Sequence, residues 1–323
     1  MEFRVLGKTD LNVSRLSLGT LTFGSQVQEN DAIRLVDSCL AAGINFFDTA
    51  NVYSNGQSET ILGKALRGRR HRVVLATKVC GKMGDGPDDV GLSRAAIRKA
   101  IEGSLRRLMT DYVDLYYLHL PDNAMRIEET LNALNELAKE GKIRYPATSN
   151  YASWQVLHML WHCENYGHVP PTVSQPMYNL LARGIEQEYL AFCKAFSVAV
   201  VPYNPLAGGL LTGKYVLEGG PAKGTQFDGN RYYQDRYWHS EFFEAVVQLQ
   251  KVAERADLSL PALAFRWLLS QPLVDSVILG VSSKTQFDEN LEACRGPSLP
   301  EDVLRQCDAV WEKLRGVAPR YNS

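Results

Sequence analysis

The feature that most constrains this chain is an alternation, repeated eight times, between a short β-rich run and a stretch whose apolar residues follow helical spacing. The runs fall at residues 16–19, 44–48, 73–77, 113–118, 143–148, 172–175, 197–201 and 275–279. Between them apolar side chains recur three or four positions apart, as in Ile33, Val36 and Leu40, then Ile97, Ile101, Leu105 and Leu108, then Ile127, Leu131 and Leu134. Such spacing gives each segment one apolar face to lay on a sheet. Gly43 and Gly141 stand where a helix ends in a left-handed residue, and Ser93 is placed to cap a helix starting near Arg94. Strands joined by helical crossovers run parallel, and closing eight of them into a ring leaves no open edge. The pattern predicts an α/β fold, a (β/α)8 TIM barrel, filling residues 1–323 as a single domain. Two pieces lie outside the repeat: an N-terminal β-hairpin, residues 2–5 and 11–14, and an extra C-terminal helix over residues 299–315.

Composition narrows the partners. The formal net charge is -1, with no block of five like charges and no basic stripe, which argues against nucleic acid. No stretch has the length of a signal peptide's apolar core or a membrane span, so a cytoplasmic location with no membrane partner is expected. The six cysteines form no C-x-x-C pair and have no histidine at zinc-ligand spacing, so they read as reduced thiols and no metal is expected.

In a barrel of this kind chemistry gathers where strands end and the following loops begin. Asp48 closes the second run with Tyr53 in the loop beyond it; Lys78 follows the third, His119 the fourth, Ser149 and Asn150 the fifth, and Gln175 closes the sixth. Two connections, residues 79–92 and 204–240, are long enough to bind something. Asp48, Tyr53, Lys78 and His119 suit proton delivery. A tyrosine titrates near 10, a Lys78 cation would lower that value, Asp48 would hold the lysine charged, and His119 would orient a carbonyl oxygen. Singly, these residues are also a helix-entry cap, a loop aromatic, a solvated charge and a strand-end histidine; what argues for function is their shared rim. The stretch GGLLTGK at residues 208–214 nearly matches a phosphate loop but continues with Tyr215 in place of a magnesium-binding hydroxyl. No G-x-G-x-x-G follows any of the runs, so a dinucleotide would bind in another way.

These segments resemble the aldo-keto reductase superfamily over essentially the whole chain. GINFFDTANVY at residues 43–53 looks like the signature holding the family's catalytic Asp and Tyr, and ATK at 76–78 and LHLPD at 118–122 look like its Lys and His segments. The resemblance implies NADPH extended across the C-terminal face of the barrel. Ser149, Asn150 and Gln175 match the contacts to the nicotinamide carboxamide, and Tyr203 the aromatic that stacks on the ring. Residues 205–215, with Leu206, Gly208 and Lys214, match the pyrophosphate loop. Residues 280–290 match the adenosine-phosphate segment, with Gly280, Ser282, Lys284, Gln286, Glu289 and Asn290; Arg231 would add a further cation. The resemblance is closer to bacterial reductases and potassium-channel β-subunits than to aldose reductases. It implies reduction of a small-molecule carbonyl, aldehydes first and ketones second, or alternatively an NADPH-binding, redox-sensing regulatory subunit with little turnover. Phe23, Val52, Met83 and Tyr151 are expected to wall the substrate pocket. One departure is Pro146-Ala147-Thr148, where the family shows an aliphatic residue, glycine and another aliphatic residue; a proline removes a ladder donor from the fifth strand. A milder departure is Asn204, in place of a serine.

Overall fold

A computed structural model describes residues 1–317. β1 (Phe3–Val5) and β2 (Asn12–Ser14) form the antiparallel hairpin. Eight parallel strands follow: β3 (Leu16–Gly19), β4 (Phe46–Asp48), β5 (Val74–Val79), β6 (Val113–Leu118), β7 (Ile143–Ser149), β8 (Val173–Gln175), β9 (Ala199–Val200) and β10 (Val277–Gly280). They pair in chain order from β3 to β9, with β10 beside β3. The remaining gap, between β9 and β10, is closed by few contacts. Val200 bridges Val274, the Asp275 N–H donates to Val200 O at 2.9 Å, the Val200 N–H donates to the Asp275 carboxylate at 2.8 Å, and the Ile278 N–H donates to Pro202 O at 3.2 Å. The ring is a (β/α)8 barrel.

Alternation along each strand sorts the core into two layers. Phe46, Ala76, Leu115, Tyr117 and Ala147 point inward and meet Leu6, Leu11 and Val13 of the hairpin, which floors the barrel. Phe47, Leu75, Tyr116 and Leu118 point outward against the helices. Gly7 turns the hairpin at φ +50, and a Cβ there would lie 2.8 Å from the carbonyl oxygens of Thr172 and Ser197, so only glycine lets the floor seat this closely.

The helical faces fall where the spacing put them. Ile97, Ile101, Leu105 and Leu108 are buried on Arg94–Leu108, whose cap Ser93 accepts from the Ala96 N–H at 3.1 Å; Leu131 and Leu134 are buried on Ile127–Lys139. Gly43 and Gly141 have φ of +82 and +72. The extra helix, Glu301–Arg315, buries Val303, Cys307 and Val310. No helix among the described residues is long and apolar enough to cross a membrane.

Several boundaries moved, among them the start of β4 at Phe46 and both ends of β10 at Val277 and Gly280. β5 and β7 run one to two residues further than their apolar runs, because pairing with β6 continues through Lys78–Tyr117 and Val79–Leu118, and pairing with β8 through Ser149–Gln175. β9 is reduced to two residues ahead of Pro202, which has no N–H to donate. β7 runs unbroken through Pro146, which sits opposite Tyr116 of β6; the ladder to β8 begins only at Thr148, so the proline interrupts no pairing on that side.

Candidate functional site

Asp48 and Lys78 come together because β4 and β5 are neighbours and both side chains fall on inward positions. Asp48 is level with Ala76, and Lys78 stands one inward step further along. The two form an ion pair with both side chains almost fully excluded from solvent. Burying ions is unfavourable unless their remaining donors and acceptors are also used, and here they are. Lys78 Nζ also donates to Thr49 O at 2.8 Å and to the Tyr53 hydroxyl at 3.4 Å, while the second Asp48 oxygen accepts from Gln175 Nε2 at 2.8 Å. Burial pulls the Lys78 pKa down, but Asp48 and then Tyr53 together outweigh it, and the value stands above that of a free lysine.

Tyr53 opens a tight turn in which Ser54, Asn55 and Gly56 are all left-handed, at φ +48, +51 and +86. The turn is held from both sides: Ser54 Oγ donates to Phe23 O at 2.8 Å, and the Arg107 side chain packs on Gly56. The Tyr53 ring lies 5.0 Å from Lys78 Nζ and meets the His119 ring edge-on at 6.0 Å. The expected lowering of the Tyr53 pKa is corrected by its surroundings. Burial raises it, Lys78 opposes and Asp48 reinforces, leaving a net rise. His119 follows β6, its N–H on Val79 O at 2.9 Å. Burial, and then the Lys78 cation, push its pKa down to about 3, so the ring is neutral at pH 7 and offers one N–H.

These groups stand at one end of a cavity of about 480 Å³ across the C-terminal ends of the strands. Ser149, Asn150, Gln175 and Tyr203 form its next section. The Asn150 amide donates to His119 O and Ser149 Oγ, each at 3.0 Å, and accepts from the Tyr203 hydroxyl at 2.8 Å; Ser149 Oγ donates to Gln175 O at 2.9 Å. The far wall holds Leu206, Gly208, Lys214, Gly280, Ser282 and Gln286. Gly208 has φ +69, and a Cβ on it would lie 2.8 Å from the Tyr233 ring. Asn204 braces this loop, accepting from the Gly208 N–H at 2.8 Å and donating to the Tyr237 hydroxyl at 3.1 Å. Ser282 turns both its N–H and its hydroxyl to Gln286 Oε1.

Other expected residues stand back from this cavity. Lys78 lies just beneath it. Arg231 is exposed and pairs with Asp235, Lys284 pairs with Asp288, Glu289 faces solvent, and Asn290 is buried with its amide on Gly280 O at 3.4 Å. Phe23 is in the core, Val52 packs on Gly81, Met83 lines a separate hollow of about 180 Å³, and Tyr151 is buried with its hydroxyl on Leu120 O. None of these four lines the main cavity. Sequence reasoning missed Arg236, which does, 3.4 Å from the Tyr203 hydroxyl and over the Tyr232 ring at 4.3 Å. The signal was available: in the helix Arg231–Tyr237, Tyr232, Tyr233 and Arg236 share one face by helical spacing, while Arg231 and Asp235 share another. Leu21, Thr22 and Gln26, after β3, and residues 224–226 were missed as well.

A profile described as "Aldo/keto reductase family" matches residues 15–312. Among similar proteins, the "Probable voltage-gated potassium channel subunit beta" of Oryza sativa subsp. japonica is 37% identical, covering 96% of each chain. The "Aflatoxin B1 aldehyde reductase member 2" of Homo sapiens is 37% identical over 94% of this chain and 88% of its own. The "Uncharacterized oxidoreductase YrpG" of Bacillus subtilis (strain 168) is 35% identical over 99% of this chain and 98% of its own.

Proposed function

The chain belongs to the aldo/keto reductase family and is an oxidoreductase; from that premise we propose that it reduces aldehydes, and ketones as a second class, with NADPH. The observation that carries this reading is the buried Asp48–Lys78 pair set under the Tyr53 hydroxyl, with a neutral imidazole beside the phenol.

The cavity suits an extended dinucleotide. Gly208 and Gly209 bring left-handed backbone to its wall, and nothing stands within 4 Å of where a Gly280 side chain would be. Asp48 is the one carboxylate lining it among the described residues, and it is committed to Lys78; Lys214 and Arg236 add positive charge. That balance favours the 2′-phosphate of NADPH over the free ribose of NADH. Ser149, Asn150, Gln175 and Tyr203 would hold the nicotinamide, Leu206, Gly208 and Lys214 the pyrophosphate, and Gly280, Ser282 and Gln286 the adenosine phosphate, with Arg231, Lys284, Glu289 and Asn290 around that end. When bound, the reduced nicotinamide supplies the hydride to the carbonyl carbon.

The chain's own residues handle the oxygen. Tyr53 gives its proton to it, and the Lys78 cation, 3.4 Å from the hydroxyl, stabilises the phenolate left behind. Asp48 keeps that cation charged and fixed. The neutral His119 ring donates its one hydrogen bond to the same oxygen and orients the carbonyl. Leu21, Leu120 and Tyr232, exposed at the mouth, favour an apolar or aromatic aldehyde. In the test, Tyr53→Phe removes the acid alone. Turnover should fall by roughly 10³-fold, within the range for a lost general acid, while NADPH affinity by fluorescence titration stays within about twofold; retained turnover would refute the assignment.

The extent of identity to the plant channel subunit favours a second reading, a regulatory subunit that binds NADPH and turns over little. Steady-state NADPH oxidation against a panel of aldehydes separates the two.

A further inference from the structure

A hollow of about 600 Å³ opens at the opposite end of the barrel from Tyr53. Its wall is built from the hairpin, the start of β3, the last turns of the helices Leu260–Leu269 and Lys284–Ala293, and residues 294–298. Four arginines, Arg4, Arg15, Arg266 and Arg295, belong to this wall, and Glu2 is its only carboxylate among the described residues. On the wall itself, four cations face one anion.

The contacts these arginines make cancel that positive charge only in part. Glu2 is mostly exposed and shared by two of them, at 3.5 Å from Arg4 and 3.4 Å from Arg15. Otherwise they reach backbone carbonyls: Arg4 to Pro272 and Val274, Arg15 to Leu269 at 2.8 Å, Arg266 to Pro297 at 2.8 Å. A carbonyl satisfies a donor but carries no net charge. Arg295 pairs with Glu292, and the half-buried Asp275 carboxylate, which accepts from the Val200 N–H, still carries charge toward Arg4 and Arg15, so Glu2, Glu292 and Asp275 together leave one of the four positive charges unanswered.

Arg15 is the most telling member. It is 6% exposed and its Nε has no partner. Burial, followed by repulsion from Arg4, lowers its pKa below that of a free arginine. Leu16, Leu269 and Leu291 line the same hollow and give it an apolar side.

We propose that this hollow binds a small organic phosphate, the phosphoryl group set among Arg4, Arg15, Arg266 and Arg295 and the carbon body against Leu16, Leu269 and Leu291. The three terminal oxygens of a phosphoryl group can each meet a guanidinium fork, whereas a carboxylate has only two to offer. The hollow shares two helices with the main cavity: Phe265 and Gln286 line that cavity, and Arg266 and Leu291 lie further along the same helices.

The test is a calorimetric titration of phenyl phosphate and of inorganic phosphate into the protein saturated with NADPH, which fills the phosphate-binding positions of the other cavity. Repeating it without NADPH keeps the result independent of the cofactor assignment. Phenyl phosphate should bind saturably at one site per chain, at least about tenfold more tightly than inorganic phosphate, and at least about tenfold more weakly in an Arg266→Gln/Arg295→Gln variant, each charge-assisted contact being worth about that factor. Should the double variant lose its cooperative melting transition, Arg295→Gln alone, at an exposed position, should still weaken binding severalfold. Absence of saturable binding, or equal affinity in wild type and variants, overturns the site; equal affinity for the two phosphates overturns the apolar half of it.

Discussion

Replacing Asp48 by Asn removes one charge with almost no change of shape and leaves Lys78 as a buried cation facing only Thr49 O and the Tyr53 hydroxyl. The loss is compounded by geometry. Asp48 accepts from Lys78 on one oxygen and from Gln175 on the other, whereas an amide has a single acceptor to offer. Stranding one partner of a buried pair costs about 3–5 kcal/mol. With an unfolding entropy of about 2.1 cal/mol/K per residue, that lowers the melting temperature by roughly 4–7 °C in a chain of this length. Urea unfolding at pH 7 measures it, with Asp48→Asn/Lys78→Met as the control. Removing the stranded cation should recover at least half the loss, because neutral replacements of a buried pair come near to break-even.

The dependence on pH has a definite sign. In the wild type the folded pKa of Lys78 is raised, so its stabilising contribution is fully present below lysine's ordinary 10.5 and is lost as pH rises through the folded value. Without Asp48 the folded value drops below 10.5, the unfolded chain binds more protons, and the variant gains stability as pH rises. The deficit should therefore narrow toward pH 10. A loss under about 1 kcal/mol, or a double variant no better than the single, would refute the stranded-cation argument.

Two further outcomes follow from the same site. His119, with a folded pKa near 3 against an ordinary 6.5, should show no imidazole protonation by NMR between pH 7.5 and about 4.5; its contribution to stability is present above 6.5 and lost as pH falls toward 3, so His119→Gln should flatten that limb, and a titration midpoint near 6.5 would contradict the burial argument. Gly208→Ala forces a side chain into φ +69 and against the Tyr233 ring, costing about 1–2 kcal/mol in denaturant titrations and weakening NADPH binding at least about tenfold; unchanged affinity would remove this loop from the cofactor site.

The barrel was legible because its information is local and repeated. A strand buried on both faces reads as an apolar run, a helix on a sheet as a 3.6-residue stripe, and glycine marks the turn between them. What escaped the sequence had other causes. Lys78 reads as the end of a strand by composition, yet the strand continues through it because Asp48, thirty residues away, neutralises it. Tyr53 beside a lysine suggests an acidified phenol; how deeply the phenol is buried, which reverses the sign, is a property of the assembled fold. Arg231 was preferred to Arg236 because charge was counted without projecting it on a helix. Phe23, Val52 and Tyr151 are next in sequence to residues that line the cavity but do not line it themselves, and Met83 lines a separate hollow; which side chain of a loop meets the cavity follows from packing rather than from any period.

The two-residue strand β9 gives the barrel a direction of weakness. Seven of its junctions are strand ladders, whereas the eighth hangs on one bridge, two backbone bonds and a single carboxylate. The connection of residues 204–240, which contributes Tyr203's neighbours, Lys214 and Arg236 to the cavity wall, springs from that junction. The proton-handling groups sit across the ring on β4, β5 and the end of β6. Within the ring, hydrogen exchange should therefore be fastest along the β9–β10 seam and slowest on β5 and β6, so that the loosest joint of the barrel lies away from the strands that space Asp48 and Lys78.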